Sequence, residues 1–126
     1  MDPLLAPMPG ADHREVAGCT LDIAPVGSGR LKRVVYPVGF RWSTHMKPIV
    51  RTDRCMHAHV GFIVQGHIKG VYADGCGYDF RAPAAVCIEP GHDGWVEGDT
   101  AAVLIEVDWE GDTARRFGLP AEHRHA

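Results

Sequence analysis

Residues 55–66 read Cys-Met-His-Ala-His-Val-Gly-Phe-Ile-Val-Gln-Gly, "CMHAHVGFIVQG". A thiol and two imidazoles run straight into an apolar stretch that stops at Gly66. The run His59 to Gln65 is short, rich in β-branched and aromatic residues and closed by glycine, which is the pattern of a strand rather than a helix. Beyond Gly66, "HIKGVYA" (67–73) reads as a second strand, and Asp74-Gly75 is the dipeptide that a tight hairpin favours.

Working outward, the fifteen Gly and nine Pro punctuate the chain at short intervals, and the apolar residues between them seldom keep a helical spacing. Further strands are expected at 21–26 ("LDIAPV"), 30–38 ("RLKRVVYPV"), 40–44 ("FRWST"), 78–80 ("YDF"), 84–89 ("AAVCIE") and 100–110 ("TAAVLIEVDWE"). In the last of these Val103, Ile105, Val107 and Trp109 share one face, with Leu104, Glu106 and Asp108 on the other, as in a half-buried strand. Many short strands with regular turns imply an all-β antiparallel sandwich or closed barrel, and closure removes the edges that invite aggregation. The organisation expected is an extended N-terminal arm over 1–18, a barrel over 19–110 and a C-terminal tail over 111–126 with a short helical turn.

A chain of 126 residues fits one domain with one core. Apolar residues make up 45% and charged residues 23%, an ordinary globular composition. With 13 Lys+Arg against 16 Asp+Glu and a net charge of −3, there is no broad basic surface for phosphates, so nucleic acid is not an expected partner. The start, "MDPLLAPMPGADHREVAG", lacks a basic region followed by an apolar one and does not read as a secretory signal. No apolar run approaches a bilayer span. Cys19, Cys55, Cys76 and Cys87 are scattered without a CxxC pattern, so the expectation is a cytoplasmic protein with reduced thiols.

On a continuous strand Asp53, Cys55, His57 and His59 would point the same way. Such a row can surround a cation, and imidazole with thiolate suits zinc, iron, nickel or copper. This stretch, the hairpins after it and "EPGHDGW" (89–95) resemble the cupin superfamily of small β-barrels over approximately residues 35–109, with the double-stranded β-helix or jelly roll as the implied fold. In that family a first motif, G-x5-H-x-H-x3,4-E-x6-G, supplies two His and a Glu to a metal inside the barrel. A second, G-x5-P-x-G-x2-H-x3-N, supplies another His.

Two registers of the first motif are open. With His57 and His59 in the HxH places, the Glu place falls on Ile63 or Val64, which bind no metal. With Asp53 and Cys55 in those places, His59 takes the Glu place, Gly66 closes the motif, and "HVGFIVQG" matches the family's strand with Phe62 as its aromatic. The second register is preferred, and His57 then lies in a connection close enough to compete as a ligand. In the second motif Pro90-Gly91 supplies the turn, the His place falls on Gly94, and the nearest imidazole is His92. Lys47 and Pro83 stand where each motif should open with Gly. The expected ligands are Cys55, His57, His59 and His92, or any three of them, around a divalent transition metal. His59 is common to both registers. Three ligands leave an open coordination position and four close the site.

Other residues are read against their ordinary roles. Phe40 and Trp42 are expected in the core, and His45, on the opposite parity from Trp42, is a reserve ligand that needs a bend to enter the barrel. Trp95 reads either as a ring lining a pocket at the barrel mouth or as core packing. Glu97 and Glu106 read as solvated for want of a partner to raise a pKa. Cys19, Cys76 and Cys87 read as small fillers or bystanders, with Cys87 facing the core. His123, Arg124 and His125 read as a frayed basic tail. The resemblance implies a homodimer and a barrel that acts on or binds a small molecule. Two functions stand: a metal-dependent enzyme such as an oxygenase or isomerase, and a non-catalytic small-ligand or metal-sensing module.

Overall fold

The computed structural model describes residues 2–124. Its elements in chain order are β1 (Asp12–Val16), β2 (Cys19–Val26), β3 (Gly29–Tyr36), α1 (Trp42–His45), α2 (Lys47–Val50), β4 (His59–Gln65), β5 (His67–Tyr72), β6 (Gly77–Arg81), β7 (Ala84–Ile88), β8 (His92–Val96), β9 (Ala102–Asp108) and α3 (Thr113–Arg116). One sheet runs β1-β2-β3-β9-β4-β7 and the other β6-β5-β8. Every strand pairing is antiparallel, and Ile63, Leu104, Val86, Ile88 and Val96 are buried in one core. The all-β barrel expected from the spacing of strands and turns is the fold found.

The pairing is strongly non-local. β9 lies between β3 and β4, and β4 lies between β9 and β7, so the last strand closes the larger sheet between two early ones. The approach of β9 to β4 depends on Gly61. A Cβ there would stand 1.9 Å from the Ile105 carbonyl oxygen and 2.8 Å from the Glu106 Cα, and Gly61 is the residue in register with Glu106.

β9 alternates as expected, but the face that carries its charges turns inward. Glu106 is 0% exposed and Asp108 5%, whereas Val107 is 42% exposed. The cause is cross-strand pairing: Lys32 of β3 is in register with Glu106 and Arg30 with Asp108, and Arg30 grips Asp108 through two hydrogen bonds of 2.9 and 3.0 Å. Buried charge is tolerated where it is paired in this way. Glu106 is therefore not the solvated side chain expected.

Four other expectations change. Residues 42–45 form α1, not a strand, although Phe40 and Trp42 are buried as foreseen. The presumed arm contributes β1, hydrogen-bonded along β2 from Asp12↔Ile23 to Val16↔Cys19. The tail is not frayed at His123, whose side chain is only 12% exposed and whose ring stacks on Tyr72 with centroids 3.7 Å apart. His125 lies outside the described residues. Cys87 is exposed rather than facing the core, because on β7 it is Val86 and Ile88 that turn inward.

Candidate metal centre

The two sheets and α1 enclose a pocket of about 410 Å³ lined mainly by apolar side chains, among them Val34, Phe40, Trp42, Ile68 and Leu104. Cys55, His59 and His92 meet on its wall, with their donor atoms all within 4.8 Å of one another. Each comes from a different part of the chain. Cys55 lies in the irregular stretch after α2, His59 opens β4 and His92 opens β8.

The backbone itself fixes the first pair. Cys55 and His92 form an isolated antiparallel bridge: the Cys55 N–H donates to the His92 carbonyl at 2.7 Å, and the Cys55 carbonyl accepts from the N–H groups of His92 at 3.2 Å and Gly91 at 2.8 Å. His59 is placed by pairing with Ile88 of β7. Its Nδ1–H donates to Glu106 Oε1 at 2.6 Å, and its Nε2 lies 3.8 Å from the Cys55 Sγ. The Nδ1–H of His92 donates to the Glu89 carbonyl at 2.8 Å. A carbonyl or carboxylate oxygen can only accept, so in both rings Nδ1 carries a proton and Nε2 is the atom left for the interior.

The charges follow from these contacts. Burial works against a charged His59, but the Glu106 carboxylate and the hydrogen bonds to Cys55 and Glu106 outweigh it, and its pKa is pushed up to about 10. Burial likewise resists a Cys55 thiolate, yet hydrogen bonds from His57, His59 and His92 hold the thiol well below its ordinary range. Glu106 stays below the usual carboxylate range despite complete burial, through the charge and hydrogen bond of His59 and the charge of Lys32. Along Cys55, His59 and Glu106 each group thus favours the charged form of its neighbour.

This donor set fits a transition metal. One sulfur and two imidazole nitrogens match zinc, iron, nickel or copper. Each imidazole is held from behind through Nδ1, one by a carboxylate and one by a carbonyl, which is how metal-binding histidines are oriented. An ion at this point would take the proton's place on the His59 Nε2 and compensate the Cys55 thiolate.

Of the residues singled out in the sequence, Cys55, His59 and His92 converge. His57 is exposed and stands outside the gathered donor atoms, but it lines the pocket and helps to lower the pKa of the Cys55 thiol. Asp53 does not reach the site: its side chain is 100% exposed and faces Lys47 at 3.8 Å. The row Asp53, Cys55, His57, His59 is broken because β4 begins only at His59. His45 turns back on its own helix, where its Nδ1 lies 3.0 Å from the Arg41 N–H. Trp95 lines the pocket, under the Arg41 guanidinium at 4.5 Å and tied through Nε1 to Glu97 at 2.9 Å.

Glu106 and Tyr78 were not found by motif. The signal for Glu106 was its parity with Leu104 on an alternating strand. Tyr78 explains the displaced second motif. A Cβ on Gly94 would lie 2.4 Å from the Tyr78 Oη, and one on Gly70 would lie 2.0 Å from the ring, so the two glycines form the slot that holds the tyrosine. The ring fills the space that a side chain at 94 would need, and the nearest imidazole, His92, stands 5.9 Å from it.

No family model matches the chain, and no curated protein matches it. Solved structures do. A Cupin 2 conserved barrel domain protein from Salinispora arenicola is 18% identical with a TM-score of 0.56, over 90% of this chain and 94% of that one. Hydroxypropylphosphonic acid epoxidase from S. wedmorenis, solved in complex with fosfomycin, is 13% identical with a TM-score of 0.51, over 86% of this chain and 61% of that one. The cupin domain of Schizosaccharomyces pombe Cnp3 is 14% identical with a TM-score of 0.50, over 87% and 76%. At these identities the likeness concerns the fold, and the fold is the cupin barrel.

Proposed function

We propose that Cys55, His59 and His92 hold a divalent transition metal, of the zinc, iron, nickel or copper class, and that this centre acts on a small, largely apolar molecule in the pocket beside it. The observation that carries the reading is the pair of imidazoles, each tied back through Nδ1 with donor atoms gathered beside one thiol. Three protein ligands leave room for a substrate atom, and a bound ion would supply Lewis acidity, or redox chemistry if it were iron. Glu106 keeps the proton on the His59 Nδ1, and the mainly apolar lining favours an apolar molecule beside the centre. Lys32 also lines the pocket, with its ammonium held by Asp108 at 3.3 Å. An oxygenase or isomerase reaction fits such a centre, and the likeness in fold to an epoxidase supports that direction by analogy.

A second reading is a metal-holding or metal-sensing barrel without catalysis. It is favoured by His57, which lines the same pocket and as a fourth ligand would close the coordination sphere. A cytoplasmic setting accords with four free thiols. Among the described residues no helix is long and apolar enough to cross a membrane. A homodimer accords with the exposed apolar side chains of Phe62 and Val107 on the outside of the larger sheet.

Metal analysis of chain purified without a histidine tag, after reconstitution with Fe(II), Zn(II), Ni(II) and Cu(II), tests the centre. The expected result is a bound ion that His59→Ala abolishes and Cys55→Ser weakens, in variants that remain folded by circular dichroism. Metal content that is independent of both residues removes the reading. His57→Ala then separates the two forms: activity in an oxygen-consumption or isomerisation screen with unchanged affinity favours the open centre, and a loss of affinity equal to that of His92→Ala favours the closed one.

A further inference from the structure

A second group of donors stands on the other side of Tyr72. That ring meets His92 edge-on at 6.3 Å and carries His123 stacked at 3.7 Å on its surface. The β5–β6 hairpin turns at Asp74-Gly75, and Asp74 Oδ1 accepts the Cys76 N–H at 2.9 Å. Its other oxygen, Oδ2, lies 3.3 Å from the His123 Nε2. On the opposite edge of the imidazole, Nδ1 lies 2.7 Å from Glu89 Oε1. The main chain secures the position, since the His123 N–H donates to the Pro90 carbonyl at 2.8 Å. The ligand atoms of Asp74, Cys76 and His123 all lie within 4.8 Å of one another.

We propose that Asp74, Cys76 and His123 form a second site for a divalent transition metal of the zinc or cobalt class, with Glu89 orienting the imidazole, and that the ion fastens the C-terminal segment to the β5–β6 hairpin. One oxygen, one sulfur and one nitrogen make a donor set that such ions take. Glu89 behind Nδ1 repeats the carboxylate–imidazole arrangement that fixes a ligating nitrogen. Bonds of about 2.0–2.3 Å to the ion require the donors to close by roughly one ångström, which the Cys76 and Asp74 side chains can supply by rotation at the hairpin tip. The alternative is a protonated imidazole held between two carboxylates, and the two differ at one atom. The ion pair leaves Cys76 a bystander. The metal takes the protons from the His123 Nε2 and the Cys76 thiol, which pass to solvent, and makes the sulfur a ligand.

The site shares no ligand with the pocket centre, so its test can fail or succeed separately. The untagged full chain is alkylated with iodoacetamide with and without Zn(II), and each cysteine is followed by peptide mass. The expected result is that Zn(II) slows labelling of Cys76 at least about tenfold while the exposed Cys87 labels equally in both. His123→Gln and Asp74→Asn should each abolish that protection and lower the Zn(II) bound per chain. Cys55→Ser should leave the protection intact. Equal labelling of Cys76 with and without Zn(II), or protection that survives both His123→Gln and Asp74→Asn, overturns the proposal. Protection of Cys76 in a chain that holds no ion at His59 supports this site and counts only against the pocket centre.

Discussion

His59 and Glu106 meet across β4 and β9 at 2.6 Å, the imidazole on the strand that opens the site and the carboxylate at full burial on the strand that closes the sheet. Glu106→Gln keeps the shape and removes the charge. If the pocket holds a metal, this substitution should lower its affinity about 10- to 100-fold, the usual effect of losing a carboxylate behind a ligating histidine, with the fold retained. Competition against a chromophoric chelator measures it, and an unchanged affinity would deny Glu106 that role.

The same meeting depends on a missing side chain. Because a Cβ at position 61 would collide with the backbone of Ile105 and Glu106, Gly61→Ala should destabilise the chain by about 2 kcal/mol or more, at the upper range for overpacking against an atom that cannot rotate away. Urea unfolding gives the value. A cost near zero would mean that β9 sits farther from β4 than described.

Tyr78 and Gly94 should be coupled. Gly94→Ala places a Cβ 2.4 Å from the phenolic oxygen but 3.6 Å from the adjacent ring carbon, so removing that oxygen removes the conflict. Gly94→Ala should therefore be costly in the natural chain and nearly neutral beside Tyr78→Phe, with a coupling of about 1–3 kcal/mol in a double-mutant cycle. Additive effects would contradict the slot.

Asp108 makes stability depend on acid. Burial raises its pKa, but the Arg30 hydrogen bonds and the Lys32 charge outweigh it and leave the folded value below the ordinary one. A carboxylate depressed in the folded state adds stability that is complete above its unfolded pKa of about 3.9 and disappears as pH falls through the folded value. Asp108→Asn should thus lower stability by about 2 kcal/mol at neutral pH, the scale of a charged hydrogen bond lost beside buried partners. The gap to the natural chain should narrow below about pH 4. Parallel denaturant titrations at neutral and acid pH check the sign.

The barrel was legible in the sequence because its strands carry local signals: Gly66 and Asp74-Gly75 stop them, and β-branched runs such as 59–65 and 102–107 fill them. His59 was legible too, since both motif registers shared it. The stretch 40–44 was not, because Phe40 and Trp42, two apart, keep the parity of a strand, whereas Trp42 opens α1 and Phe40 precedes it. Glu106 was missed for a different reason. Its burial is made acceptable by Lys32 and His59, which lie 74 and 47 positions away, and separation of that kind leaves no mark on the neighbouring residues. Cys76 and His123 were set aside on the same ground, as each looks ordinary until the hairpin and the C-terminal segment are brought together.

The main-chain bridge between Cys55 and His92 separates where a donor stands from what the donor is. Reciprocal main-chain hydrogen bonds hold the two positions and depend on neither side chain, so the sulfur at 55 can be exchanged for another donor while these bonds persist. If the centre holds a metal, the softness of its donors, and with it the preference among copper, zinc and iron, would become a property that a single codon can retune while the architecture stays the same.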